Sequence, residues 1–437
     1  MSVMSVRMKI ALAVVAINSI FAFFVYQHGI GNILVEPHEH HERREITHVN
    51  KSPHVPVNET IQEKKGRILP ISFGLPEGRF ERAKRFRQLN KTRDFAFIIP
   101  GVKATYIYKS EETYYDGYAM ALYGITMKKA GWDCFRHYEI IASGAMPYFL
   151  NIDKLPPNTM HDFPVHIVQN AMQLPGVPTQ EQVQRAIATM GANASDALQI
   201  DVSLFNRTRY DELMEELVDY SLQYLTWAGK ARYVFSMVRK SYPCWTEPRV
   251  LFVTMSDCEY MSCTLWGGMY EVLGPDSMSS FFGPKVELFK SLPHPKKSYG
   301  GSFSYSNVFD TWNGTNRYSP WRSRGAVDPA LQERLDSGFF NTIVLTNGDN
   351  MFCGLGKYFS YNIEEKPVLY DYQKKFNPLV IVLDGNDIIG CHGFKIKESN
   401  GLHYHFHFIR EYKAARRRDN RLPHGWSGCD GSFHEES

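Results

Sequence analysis

The stretch RVLFVTMSDCEYMSCTLWGGMYEV (249–272) decides the fold. Arg249 to Thr254 is a continuous apolar run of strand length with no polar alternation, which predicts a strand buried on both faces. From Asp257 to Val272, the residues Met261, Leu265, Met269 and Val272 then recur at helical spacing. The style returns at Thr342–Thr346 and Leu379–Leu383, two apolar runs followed by a Gly-Asp and an Asp-Gly turn. Continuous apolar strands alternating with helices predict an α/β fold with parallel sheets covered on both faces.

Working outward, the first half carries the same grammar. Phe95 to Ile99 reads as a buried strand closed by Pro100-Gly101. A polar, tyrosine-rich stretch follows. Gly131 to Gly144 reads as a helix with Phe135, Tyr138 and Ala142 on one face, and Met146 to Leu150 as the next strand. A longer helix is expected from Thr208 to about Trp227, with a stripe of Leu213, Leu217, Tyr220 and Tyr224 and an N-cap built from Thr208 and Asp211. A division between Lys240 and Trp245 gives two α/β lobes, 66–242 and 243–412, and ligands of open α/β sheets bind beyond the carboxyl ends of strands.

Before the folded part, Arg7 and Lys9 precede an apolar run from Ile10 to Tyr26. A spanning helix needs about 20 mostly apolar residues, and flanking positive charge keeps its own side in the cytosol. A cleaved signal peptide is the rival; it ends in small residues, whereas this run ends in Phe23, Phe24, Val25 and Tyr26. The expectation is a cytosolic tail (1–9), a signal anchor (10–26), a polar lumenal stem (27–65) and a basic tail (413–437). His38, His40 and His41 in the stem read as part of a hydrated tether. Asn50, Asn58, Asn90, Asn193, Asn206 and Asn313 each open an Asn-x-Ser/Thr triplet, as a lumenal chain tolerates.

The formal charge of +3 gives no footprint for nucleic acid. The seven cysteines include no CxxC pair, which argues against structural zinc, and one or two disulfides suit an oxidising lumen.

For chemistry, the informative segment is KKAGWDCFRHYEIIASGAMP (128–147). On a helix Glu139 falls at the edge of the buried face, where a carboxylate needs a partner or a ligand. An ion pair with Arg136 or His137 is the structural reading, and from spacing alone it stands level with a functional one. Asp257 and Glu259 directly follow a strand end and could do acid–base work, or simply complement a helix N-terminus. Lys128, Lys129 and Arg136 could neutralise a diphosphate, yet a pair of lysines is more often solvated surface. His403, His405 and His407 share one face of a strand, read as its polar outer face, and Arg410 to Arg421 reads as a solvated helix end.

Arg136, Glu139, Ile141, Ala142, Gly144 and Pro147 stand in an Arg-x-x-Glu-x-hydrophobic-Ala-x-Gly-x-x-Pro pattern. Over residues 115–159 the chain resembles the donor-binding lobe of GT-B glycosyltransferases of the exostosin-like group. The resemblance implies that Glu139 accepts hydrogen bonds from a donor ribose, that Gly144 lets backbone approach the nucleotide, and that the other half is a second Rossmann-like lobe. The order departs from the family's, since the lobe with the glutamate normally comes last. The implied layout is a Golgi, single-pass type II membrane enzyme that moves a sugar from a nucleotide-sugar to a glycan or glycoprotein acceptor without an obligatory metal. The alternatives are a GT-A-type transferase whose Asp257 and Glu259 hold Mn²⁺, and a non-catalytic glycan-binding membrane protein.

Overall fold

The long apolar runs do become parallel strands. The computed structural model describes residues 67–87, 89–253, 260–281, 288–290, 308–310, 329–346, 367–385 and 405–411. The expected anchor, stem and basic tail lie outside these residues, as do Asp257, Glu259 and His403. Among the described residues no helix is long and apolar enough to cross a membrane.

One sheet has six parallel strands: β1 (Arg67–Pro70) at one edge, then β9 (Phe406–Ile409), β8 (Leu379–Asp384), β7 (Thr342–Thr346), β5 (Val250–Val253) and β6 (Met278–Ser280). Every residue of β5, β7, β8 and β9 is buried, as strands covered on both faces require. The second sheet is β2 (Arg93–Phe95), β3 (Ala121–Met127) and β4 (Met146–Leu150), again parallel. Its helical crossovers are α2 (Glu111–Ala119) and α3 (Phe135–Ala142).

The chain passes between the sheets twice. After β1 it crosses and forms α1 (Glu77–Phe86). Beyond the small sheet come α4 (Val165–Met172), α5 (Gln180–Met190), α6 (Ala194–Ala197) and α7 (Arg207–Tyr224). The chain then returns as α8 (Trp227–Ser241), which packs along α9 (Tyr260–Leu273). The crossings lie side by side: Leu75 N–H donates to Leu225 O and Trp227 N–H to Leu75 O, both at 3.0 Å. The division between sheets therefore falls near Leu75 and Thr226. β1 and α8, expected in the first lobe, sit with the larger sheet. The helices α10 (Pro329–Asp336) and α11 (Pro367–Phe376) precede β7 and β8.

Several expectations shift. Phe95–Ile99 contributes only its first residue to β2, and Ala96, Ile98 and Ile99 continue as buried loop. The tyrosine-rich stretch holds α2, capped by Ser110, and all of β3. The helix expected to run to Trp227 stops at Tyr224 because Thr226 turns extended and caps α8, accepting from Gly229 N–H. Its N-cap is Asn206, which accepts from Arg209 N–H at 2.9 Å, rather than Thr208. Tyr224 is 42 % exposed, and Tyr210, Met214 and Val218 join Leu213 and Leu217 on the buried face instead.

The two crossing helices meet through glycine. A Cβ at Gly268 would sit 2.0 Å from Trp227 O, so α9 gives way there to the backbone of α8. Gly268→Ala should lower the melting temperature by an overpacking cost of about 1–3 kcal/mol or more, despite alanine's better helix propensity. Gly78→Ala, on α1 with nothing within 4 Å of the added carbon, should hold or raise it. Thermal melts of the two variants check the contrast.

Candidate functional site

The site is built on α3 and the loop that feeds it from the carboxyl end of β3. His137 is fully buried, with Nδ1 2.8 Å from Thr126 Oγ1 and Nε2 2.8 Å from Trp132 O. Burial pushes its pKa down to about 3, so the ring is neutral and ties strand, loop and helix together. Tyr138, next on the helix, donates to Asp133 Oδ1 at 2.6 Å.

A helix turns about 100° per residue, so Arg136 and Glu139 come out on another, half-buried side. Glu139 accepts from Tyr114 OH at 2.6 Å. Burial, and then the Glu139 charge, raise the Tyr114 pKa, which keeps that phenol a donor. Neither structural pairing expected for Glu139 is its hydrogen-bond partner here: His137 points inward, and Arg136 has no ion pair among the described residues. The Arg136 guanidinium lies over the Tyr106 ring at 5.5 Å, with Lys129 Nζ over the same ring at 5.6 Å. Arg136 Nε is buried without a hydrogen-bond partner. Tyr106 is 40 % exposed. Beside this group Glu111 is held by Arg79 at 2.6 Å and Arg82 at 3.1 Å.

Arg136, Glu139 and Lys129 are thus brought together with tyrosines from the loop after β2 and from α2. Lys128 is exposed, and among the described residues its Nζ reaches only Lys129 O, at 3.5 Å. Gly144 has φ +68°, and an added Cβ would stand 2.6 Å from Arg87 N. The end of α1 fills the space beside it. Lys91 Nζ donates to Gly144 O and Ala119 O, both at 2.7 Å, which seals the amino side of the small sheet.

A second cluster was not foreseen. It lies where the carboxyl-end loops of the two sheets meet. Asp133 Oδ2 accepts from Phe73 N–H at 2.7 Å, and Asp133 N–H donates to Glu411 Oε1 at 2.8 Å. Arg410 donates to Asp133 O at 2.6 Å and to Gly385 O at 2.9 Å, with its guanidinium 4.5 Å from the Phe73 ring centre. Asp133, Arg410 and Glu411 are all buried. Arg410 is therefore no part of a solvated tail; it closes β9 from inside. The polar outer face expected for the histidine strand is also absent. β9 runs between β8 and β1, and His407 is buried 3.9 Å from Asp384. Asp384, read as a turn residue, ends β8 in the core.

Alongside, the fully buried Lys230 on α8 donates to Ser72 Oγ at 2.8 Å and Asp162 Oδ2 at 3.1 Å. Ser72 Oγ in turn donates to His161 O. Met160 and Asp162 both have positive φ, 53° and 69°, a conformation that costs energy and persists where surroundings over-determine it. The Lys230 clamp supplies that constraint.

Sequence could flag Arg410-Glu411 only as an opposite-charge pair at a strand end; its partner Asp133 lies 277 residues away from Arg410. Among the described residues no group of three or more His, Cys, Asp or Glu could hold a metal ion. Cys244 and Cys263 each take part in a disulfide, and Cys134 is a free thiol. No protein-family profile, characterised protein or solved structure matches the chain.

Burial pushes the Asp162 carboxyl up, but Lys230 and His161, whose Nδ1 lies 2.9 Å from Oδ1, together outweigh it and bring the pKa down from 3.8 to about 2. A carboxylate depressed on folding stabilises above its unfolded pKa and loses that contribution as pH falls through the folded one. Asp162 should therefore add about 2 kcal/mol above pH ~4, fading between pH ~4 and ~2. Asp162→Asn strands the buried Lys230 ammonium and should cost about 3–5 kcal/mol. Adding Lys230→Met should recover part of that loss. Denaturant unfolding of the wild type, single and double variants across this pH range measures both effects.

Proposed function

We propose that the chain is a glycosyltransferase that takes its sugar from a nucleotide-sugar donor, with a two-lobed GT-B-like arrangement and a type II anchor in the Golgi membrane. The observation that carries this reading is the Arg136–Glu139 pair on the half-buried side of α3. A guanidinium with no counter-ion among the described residues stands there beside a carboxylate and a partly exposed tyrosine ring. Those three groups suit the three parts of a donor. Arg136, with Lys129, would neutralise the diphosphate as charge builds on the leaving group. Glu139 would accept from ribose hydroxyls, and Tyr106 offers a face to the base. The surroundings fit a lumenal enzyme: Asn90, Asn193 and Asn206 are exposed, and two cysteines are in disulfides. The acceptor would be a glycan or glycoprotein.

Nucleoside-diphosphate release by the detergent-solubilised full chain, across a panel of nucleotide-sugars with and without EDTA, tests the reading. Glu139→Gln keeps the acceptor for Tyr114 and should raise the donor KM roughly tenfold to hundredfold. Arg136→Met should lower kcat/KM by roughly 10²-fold or more, with both variants melting near wild type. No donor bound and no sugar turned over would reject the enzyme and leave a glycan-binding protein. EDTA-sensitive turnover that survives Glu139→Gln but not Asp257→Ala would put Mn²⁺ on Asp257 and Glu259 instead.

A further inference from the structure

At the other edge of the small sheet, a cavity of ≈ 360 Å³ opens beyond the carboxyl end of β4, between α4 and the start of α5. Its floor is apolar: the Tyr148 ring, Ile152 and Met172 are buried core residues, and Leu174 and Val177 are half-buried beside them. Its walls are polar in one particular way. Three glutamine side chains line it, Gln169, Gln173 and Gln180. Gln169 and Gln173 are four residues apart, on one face of the α4 turn and its C-terminal end. Neither side chain hydrogen-bonds to any described residue. Gln180 is fixed by its Oε1, which accepts from Asn151 N–H at 2.7 Å, so its Nε2 donors stay available. Asn151 itself is held at φ 60°, and it anchors this wall to the end of β4.

Charge narrows the ligand. Asp153 and Glu181 are the ionisable side chains of the lining besides the Tyr148 phenol, and no lysine or arginine joins them. The N-terminus of α5 reaches the cavity but offers no anion site. Thr179 and Gln182 close a capping box there, and Glu181 already answers the helix end. A phosphate, sulfate or carboxylate would meet two like charges and no counter-ion. The Tyr148 hydroxyl is also engaged, donating to Pro178 O at 2.6 Å.

We propose that this cavity is a binding site for a neutral saccharide. A sugar ring has an apolar C–H face and a rim of hydroxyls that both donate and accept. The apolar floor matches the first, and the amides, which also do both, match the second. The volume lies toward the low end of the roughly 300–1,000 Å³ typical of small-ligand sites, about right for one sugar ring and part of a second. The proposal is separate from the donor site on α3 and does not rest on nucleotide chemistry.

The test is saturation-transfer NMR and calorimetry on the full chain in detergent, without nucleotide. The probes are lactose, N-acetyllactosamine, mannobiose and xylobiose, with sialyllactose and a hyaluronan fragment as anionic counterparts. At least one neutral probe should bind. Its affinity should fall roughly tenfold or more in Gln169→Ala/Gln173→Ala, and binding should be lost when Val177→Trp fills the floor. Both variants should keep the wild-type melting temperature and any nucleotide-sugar turnover measured without acceptor. Binding of no neutral probe, tighter binding of the anionic sugars, or neutral binding untouched by both variants would overturn the proposal. Failure of the donor reading shows in the nucleotide assay and leaves this result standing.

Discussion

The arrangement of the two sheets depends on the buried contact among Asp133, Arg410 and Glu411. Where the ends of parallel sheets meet, loops arrive with backbone groups that no ladder can satisfy, and each would cost free energy if buried unpaired. Four such groups converge here: the N–H of Phe73, the N–H and carbonyl of Asp133, and the carbonyl of Gly385. Each finds a charged side chain at 2.6 to 2.9 Å. Apolar residues of the same volume would leave all four orphaned. The charges are thus retained for geometry, at a desolvation cost that the mutual hydrogen bonds offset.

That contact also sets the position of α3. Asp133 is followed by Cys134, the N-cap, and then by the helix. With the loop pinned from the larger sheet and His137 pinned from β3, the helix has little freedom to rotate. Its inward face is spent on Tyr138, His137, Ile140 and Ile141, all buried. Arg136 and Glu139 are then presented together on the half-buried side, which is how a structural junction some residues away can fix the geometry of the proposed donor-binding pair.

Elements that answer to local patterning were legible in the sequence. β7 runs over Thr342–Thr346 as its apolar run implies, and β8 exceeds its run by one residue, Asp384. β4 and the core of α3 were equally plain. β3 was hidden because ALYGITM (121–127) follows a tyrosine-rich helix without a turn signal, and its polar threonine is satisfied by a buried histidine. β1 is short, and it earns its place only by pairing with β9, more than three hundred residues later. The junction failed to show for the same reason. Arg410 looks like the first of a run of arginines, and only the fold brings Asp133 to it. Local chemistry reads from sequence, whereas burial of a charge is decided by a partner that spacing cannot name.

Charge is then sorted across the small sheet. The loops after β2 and β3 expose Lys103, Lys109, Lys128 and Lys129, and Lys129 lies with Arg136 over the Tyr106 ring. Beyond β4 the cavity has two carboxylates and no cation. An anionic ligand would find Arg136 and Lys129 at the first region and only carboxylates at the second; a neutral polyhydroxylated one would be indifferent to the field. Both regions draw on the carboxyl ends of one three-stranded sheet, so under the proposed assignments electrostatics alone would keep two ligands of unlike charge from exchanging places.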